Sequence, residues 1–310
     1  MPRYHRSGGP RTFDALSCRG VNANVDRVVL LPDGRRLGVA EYGDPRGIAV
    51  LAFHGLPGSR RQRHPDDSIA AALGARMVHV DRPGFGRSDA QRARTLLDWT
   101  ADVRHLCDAL ALDRVRIVGV SAGGPYALAC AATLGTRVLR TAVVSGVGPP
   151  GSMPRASVPA LVRAGFALAP RARWTIRPFA AAAAGLARRA PERYLAAVAA
   201  RMNAADREIL ARPAVRAMFA ADLREAFAQS SAAFGRDLAV IAASWPFDPA
   251  RIASPLALWH GNEDRMVPHA GAEMLAREIP HAELHLVAGA GHFLAFDRWH
   301  EILAWLLPGP

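Results

Sequence analysis

Apolar positions along the chain follow two alternating rhythms. Short, nearly continuous apolar runs fall at 48–53, 77–80, 115–118 and 141–144, and again at 256–259 and 284–287. Runs of that length, rich in β-branched residues, read as strands buried on both faces. Between them apolar residues recur at helical spacing, for example over 100–110, 122–134 and 270–278. Ahead of them, 27–31 and 36–42 flank Pro32-Asp33-Gly34, the pattern of a β-hairpin. Eight strand candidates interleaved with helices predict an α/β fold. Its sheet is mostly parallel and eight-stranded, covered by helices on both faces and antiparallel only where the opening hairpin joins its edge.

The alternation stops between 148 and about 252. This stretch is rich in alanine and arginine, helical in pattern, and bounded by Pro149-Pro150-Gly151 and Trp245-Pro246-Phe247-Asp248-Pro249. The expected layout is therefore a flexible leader over 1–25, a core made of 26–147 and 253–310, and a helical cap inserted over 148–252. The first part of the insertion, 152–190, carries seven arginines and no acidic residue. A solvated helix face accounts for that pattern; the competing reading is attraction of an anionic substrate or a membrane surface over the site.

Composition narrows the function classes. A chain of 310 residues, half of them hydrophobic and 21% charged, is long enough for one large domain or a domain with an insertion and has a globular profile. No apolar stretch approaches the ~20 residues of a membrane span; the longest, such as 179–187, are short and dominated by alanine. The first ten residues are basic and polar with no hydrophobic region after them, so no secretory signal is expected and residence is expected in the cytoplasm. Cys18, Cys107 and Cys130 are too few and too scattered for a disulfide framework or a zinc site, and no histidine cluster makes a case for a metal. A formal charge of +12 raises the question of nucleic acid. The chain has no lysine, however, so all 39 basic residues are arginine, which looks like genomic codon bias. They are scattered and no nucleic-acid-binding motif accompanies them, so no nucleic-acid partner is expected.

The candidate chemistry begins at Gly119-Val120-Ser121-Ala122-Gly123, between the apolar run 115–118 and an alanine-rich helix. A serine on a sharp strand-to-helix turn needs small neighbours two residues either side, because strand and helix pass closely there. The helix N-terminus then favours negative charge beside it. A glycine-rich turn also binds phosphate or serves packing alone, so the serine needs partners. A hydroxyl is a weak nucleophile without a base, and the base needs a carboxylate to orient it. His292, in Gly289-Ala290-Gly291-His292-Phe293, follows the run 284–287; Asp264, in Gly261-Asn262-Glu263-Asp264, follows 256–259. Both loops belong at the C-terminal end of an open sheet, where such groups gather. Glu263 competes with Asp264 as the carboxylate, and His260 and His285, at or within their strands, read as surface or packing residues. After the run 48–53, His54-Gly55-Leu56-Pro57-Gly58 supplies candidate donors for a developing oxyanion. Pro57 has no N–H, which leaves the N–H of Leu56 with that of Ala122 as the natural pair.

These residues resemble the α/β-hydrolase superfamily, in particular its cap-bearing serine hydrolases. The likeness runs from Arg27 to Leu306 and rests on His54-Gly55 with Pro57-Gly58, Gly119 to Gly124, Gly261 with Asp264 and Pro268, and Gly291-His292-Phe293. It includes Asp81-Arg82-Pro83-Gly84-Phe85-Gly86-Arg87-Ser88, which is similar to that family's D-x-x-G-x-G-x-S shaping loop. The chain order Ser121, Asp264, His292 is the one this architecture uses. Serine at the elbow separates the chain from the epoxide hydrolases and haloalkane dehalogenases, which place aspartate there. Ala122 separates it from proline iminopeptidases, and His54-Gly55-Leu56 from lipases with three glycines after that histidine. The resemblance implies a cofactor-independent hydrolase of a carboxylic ester, thioester or lactone, with Ser121 as nucleophile, His292 as base and Asp264 as its orienting acid. Two alternatives keep the same pocket: C–C or amide hydrolysis or a lyase reaction by the same triad, and a low-turnover receptor. Motifs of this kind are specific for the apparatus and weak for substrate, and oligomeric state is not written in them.

Overall fold

The computed structural model describes residues 25–152 and 177–307. The expected leader, apart from Val25, and most of the basic stretch 152–190 lie outside the described residues.

Eight strands form one sheet: β1 (Val25–Leu30), β2 (Arg36–Gly43), β3 (Ile48–Phe53), β4 (Ala75–Val80), β5 (Val115–Val120), β6 (Val138–Val144), β7 (Leu256–Gly261) and β8 (Ala282–Val287). Their order across the sheet is β1-β2-β4-β3-β5-β6-β7-β8. The hairpin β1–β2 is antiparallel and joins β4 antiparallel, whereas every later pairing is parallel. The inner strands are buried along almost their whole length, as continuous apolar runs require when helices cover both faces.

One face carries α2 (Leu96–Ala109), α3 (Gly124–Thr133) and α9 (Ala270–Glu278), with Trp99, Tyr126, Leu128 and Leu275 in its core. The other carries α1 (Ser68–Ala72) and α10 (Ala295–Leu306), packed through Ala70, Trp299, Ile302 and Leu303. Helix α2 begins four residues earlier than the periodicity predicts. Thr95 accepts from the N–H groups of Leu97 and Asp98, while the Asp98 carboxylate accepts from the N–H of Thr95. That reciprocal capping box fixes the start independently of the apolar stripe. The predicted helix 122–134 is instead a 3₁₀ turn, Ser121–Gly123, followed by α3.

Between β6 and β7 lie α4 (Arg177–Arg189), α5 (Pro191–Ala199), α6 (Ala204–Ala211), α7 (Pro213–Ala226) and α8 (Ala232–Ala242). They build a small core of their own from Leu195, Ile209, Val215, Phe219 and Leu223, on which Phe293 and Phe296 also pack. Among the described residues none of these helices, nor any other, is long and apolar enough to cross a membrane.

Candidate active site

Ser121 leaves β5 with φ of +53° and opens the 3₁₀ turn before α3. Such a backbone is costly for a residue with a side chain and persists only where the surroundings over-determine it. Gly123 shows the crowding: a Cβ there would lie 2.2 Å from the carbonyl oxygen of Phe53. Strand β3 and the turn after β5 thus touch backbone to backbone, which brings the loop after Phe53 beside the serine.

The loops after β7 and β8 meet Ser121 from the other side. His292 Nε2 lies 3.1 Å from Ser121 Oγ, and His292 Nδ1 lies 2.7 Å from Asp264 Oδ2. A ring that donates Nδ1–H to the carboxylate leaves the Nε2 lone pair facing the hydroxyl, the protonation pattern a general base needs. Asp264 Oδ1 accepts from the N–H groups of Met266 (2.8 Å) and Val267 (2.9 Å). Burial alone would raise this carboxyl, but His292 and His260 outweigh it and hold it well below the usual carboxylate range. Burial likewise works to depress the His292 imidazole, and the Asp264 charge overrides it, so the ring titrates above the ordinary histidine value. The acid beside the imidazole is Asp264; Glu263 is exposed and takes a 3.5 Å contact from Asn203.

His260, expected as a surface or packing residue, is drawn into the same cluster. It is 1% exposed, and its Nε2 lies 2.9 Å from the carbonyl of Val267 and 3.2 Å from Asp264 Oδ2. The available signal was its spacing, four residues before Asp264 at the end of the same strand. His285 does pack as expected, stacked on Trp259 at 4.0 Å between centroids.

The loop after β3 is braced from below and above. His54 is buried and held neutral, first by desolvation and then by the Arg82 charge. Its Nδ1 lies 2.8 Å from the Gly55 carbonyl, and its Nε2 accepts from the N–H of Arg82 at 3.1 Å. The Arg82 guanidinium donates to the carbonyls of His54 and Gly55. Gln62 Oε1 accepts from the N–H of Gly55. Leu56 lines the cavity with Ser121 and His292, and Ala122 follows the serine directly. The 81–88 loop shapes this region: Asp81 accepts from the N–H groups of Arg60 (2.6 Å) and Arg87 (2.8 Å), and Ser88 Oγ donates to the Asp81 carbonyl (2.7 Å).

Among the described residues three fully buried carboxylates on the inserted helices reach these loops, and none of them belongs to a motif that marks the site in the sequence. Asp206 on α6 accepts from the N–H groups of His292 and Phe293. Asp222 on α7 accepts from the N–H and hydroxyl of Ser59, both at 2.7 Å, and from Gln62 Nε2 at 3.2 Å. Asp237 on α8 pairs with Arg82 at 2.9 Å and with Arg94, and accepts from the Tyr126 hydroxyl at 2.6 Å. All three have 0% exposure. Each shares its helix with apolar neighbours on the buried face: Ile209 and Leu210, Phe219 and Leu223, Ala233 and Ile241. An acidic residue in an apolar stripe was the signal to read.

Above Ser121 a cavity of about 140 Å³ opens, roofed by Tyr194, Leu195 and Val198 of α5 and by Phe219 and Leu223 of α7. Its walls are mainly apolar, with the Ser121 hydroxyl and His292 at its base, the composition of a small-molecule site. A serine hydrogen-bonded to a buried, carboxylate-oriented histidine can attack an electrophilic carbon and pass its proton to the imidazole. Among the described residues no group of three or more His, Cys, Asp or Glu side chains is arranged to hold a metal ion.

The chain is similar to known proteins over most of its length. The family profile described as alpha/beta hydrolase fold matches residues 48–298. A 2-hydroxymuconate semialdehyde hydrolase of Pseudomonas putida is 28% identical over 276 residues, 87% of this chain and 88% of its own length. A monoacylglycerol lipase of Mycolicibacterium smegmatis is 28% identical over 266 residues, 84% of this chain and 82% of its own. Among solved structures, the enol-lactonase from Burkholderia xenovorans LB400 superposes with a TM-score of 0.68 at 20% identity, over 91% of this chain and 99% of that one.

Proposed function

The chain belongs to the alpha/beta hydrolase fold family, and from that premise we propose that it is a serine hydrolase cleaving a carboxylic ester, thioester or lactone through an acyl-enzyme on Ser121. One observation carries the reading: the unbroken line of hydrogen bonds from Asp264 through His292 to Ser121, opening on an apolar cavity. Ser121 Oγ attacks the acyl carbon as His292 Nε2 takes its proton, and Asp264 stabilises the imidazolium. The N–H groups of Leu56 and Ala122 hold the oxyanion until the intermediate collapses and His292 hands its proton to the leaving alcohol or thiol. Water, deprotonated by the same ring, then attacks the acyl-enzyme, and the acid departs while Ser121 regains its proton. Helices α4–α8 act as the cap: apolar side chains of α5 and α7 form the roof, supply substrate contacts and keep bulk water from the acyl-enzyme.

The test is Ser121→Ala on a panel of esters of graded acyl length. Turnover should fall by about 10⁵-fold or more with the fold intact by circular dichroism, and an activated phosphonate should label the wild type at Ser121 only. Full esterase activity in Ser121→Ala would sink the reading.

A second reading, cleavage of a C–C bond by the same residues, draws support from the relative named for a semialdehyde rather than an ester. Mass-spectrometric identification of products from ester substrates and from 2-hydroxymuconate semialdehyde separates the two.

A further inference from the structure

His292 is held at more points than its ring. Its carbonyl accepts from Ser145 Oγ, at the end of β6, at 2.8 Å. Its N–H donates to Asp206 Oδ2 at 2.9 Å, and the next N–H, of Phe293, donates to Asp206 Oδ1 at 2.8 Å. Asp206 is seated in turn by Asn203, whose Oδ1 accepts from the Asp206 N–H at 2.9 Å. The fit is close: a Cβ on Gly291 would lie 2.1 Å from Asp206 Oδ2. The backbone leading into His292 therefore runs directly over a carboxylate that is 0% exposed and belongs to an inserted helix.

We propose that Asp206 is a positioning residue for His292, through which helix α6 fixes both the place and the electrostatic surroundings of the imidazole that serves Ser121. The proposal rests on the hydrolase reading above. A tie that only joined helix to loop would need hydrogen-bond acceptors and no charge, and an ionised carboxylate without solvent is costly to keep. Burial accordingly raises the Asp206 carboxyl above the usual range, against the two N–H groups that lower it. What the charge adds is a second anion beside a ring that becomes cationic as Ser121 attacks. The titratable groups bearing on that ring are Asp264, with His260 behind it, from β7 and its following loop, and Asp206 from α6. The Asp206 charge acts on the ring in the same direction as Asp264, favouring the imidazolium.

Asp206→Asn in the full chain keeps the shape and one acceptor while removing the charge. The midpoint of the His292 ring titration, followed by NMR, should move to lower pH. The acid limb of ester turnover should move the same way, and kcat should fall by about ten- to a hundred-fold with KM changed less than about two-fold. A folded Asp206→Asn protein with an unmoved midpoint and undiminished kcat overturns the proposal. If that variant does not fold, Asn203→Ala decides, since it keeps the charge and loosens its seat. Faster amide exchange at His292 and Phe293 with reduced kcat supports the role; no change in either overturns it. A wild type whose Ser121 reacts with no ester or phosphonate defeats the hydrolase reading, and the midpoint shift still judges Asp206 on its own.

Discussion

At Asp222 burial and hydrogen bonding pull in opposite directions, and burial wins: the carboxyl is pushed up to about 7 although Ser59 and Gln62 donate to it. Its folded value lies above its unfolded one, so the native state holds this proton more tightly. The associated stability is present in full below the unfolded value near 4 and is lost as pH rises through about 7. Asp222→Asn removes that titration. The stability difference, variant minus wild type, should therefore climb between about pH 4 and 7, measured by urea unfolding at several pH values; a flat difference refutes the assignment. His292 gives the complementary expectation for activity. Its ring is raised, and in the proposed mechanism only the neutral ring accepts the serine proton, so kcat/KM should rise with pH through a limb above the 6.5 of an ordinary histidine. A limb at or below that value would contradict the electrostatics described for Asp264. Ser121, Asp264 and His292 were legible in the sequence because each sits in a short motif just past an apolar run. Asp206, Asp222 and Asp237 were not, since their partners lie 86, 163 and 155 residues away. Only folding decides whether such an acid faces water or a loop.

At the scale of elements, the sheet was readable because buried parallel strands write themselves as unbroken apolar runs. The edges of those runs were less so. Strand β6 begins at Val138, earlier than the run at 141, because the half-buried Leu139 and Arg140 interrupt the apolar pattern between the buried Val138 and Thr141. The inserted helices were recognisable as helices, while their arrangement over Ser121 was not, because alanine-rich faces specify many packings about equally. Helix α7 places Phe219 in the roof, with Phe293 and Phe296 at 5.2 and 5.6 Å between ring centroids. Phe219→Leu opens that wall, so the acyl chain preferred in the proposed ester hydrolysis should lengthen by about one or two carbons, with kcat/KM ratios between neighbours changing up to about ten-fold. An unchanged chain-length profile would place the acyl group elsewhere in the cavity.

Across the whole molecule, the inserted helices and the sheet are joined by charge as well as by packing. Asp237 answers two buried guanidinium groups, Arg82 and Arg94. It stays ionised because their charges, with the Tyr126 hydroxyl, outweigh a large desolvation penalty and hold it at about 2. Asp237→Asn strands both cations, a change worth about 3–5 kcal/mol. Urea denaturation should show that loss, and the loop held by Arg82 should lose activity with it; a variant as stable as the wild type would mean the arginines find other partners. The sheet geometry adds a further consequence. The segment leaves at Val144 and returns at Leu256 on strands that are immediate neighbours in parallel register. By connectivity alone it is therefore one exchangeable crossover, leaving at the C-terminal end of β6 and re-entering at the N-terminal end of its neighbour β7. Chemistry makes it far less portable. A foreign cassette grafted at those ends would have to bring its own acceptors for the amides of His292 and Phe293, a partner for Ser59 and Gln62, and an anion for two arginines. Chimeras that change the roof but carry over Asp206, Asp222 and Asp237 are the ones that should exchange substrate preference without dismantling the machinery beneath.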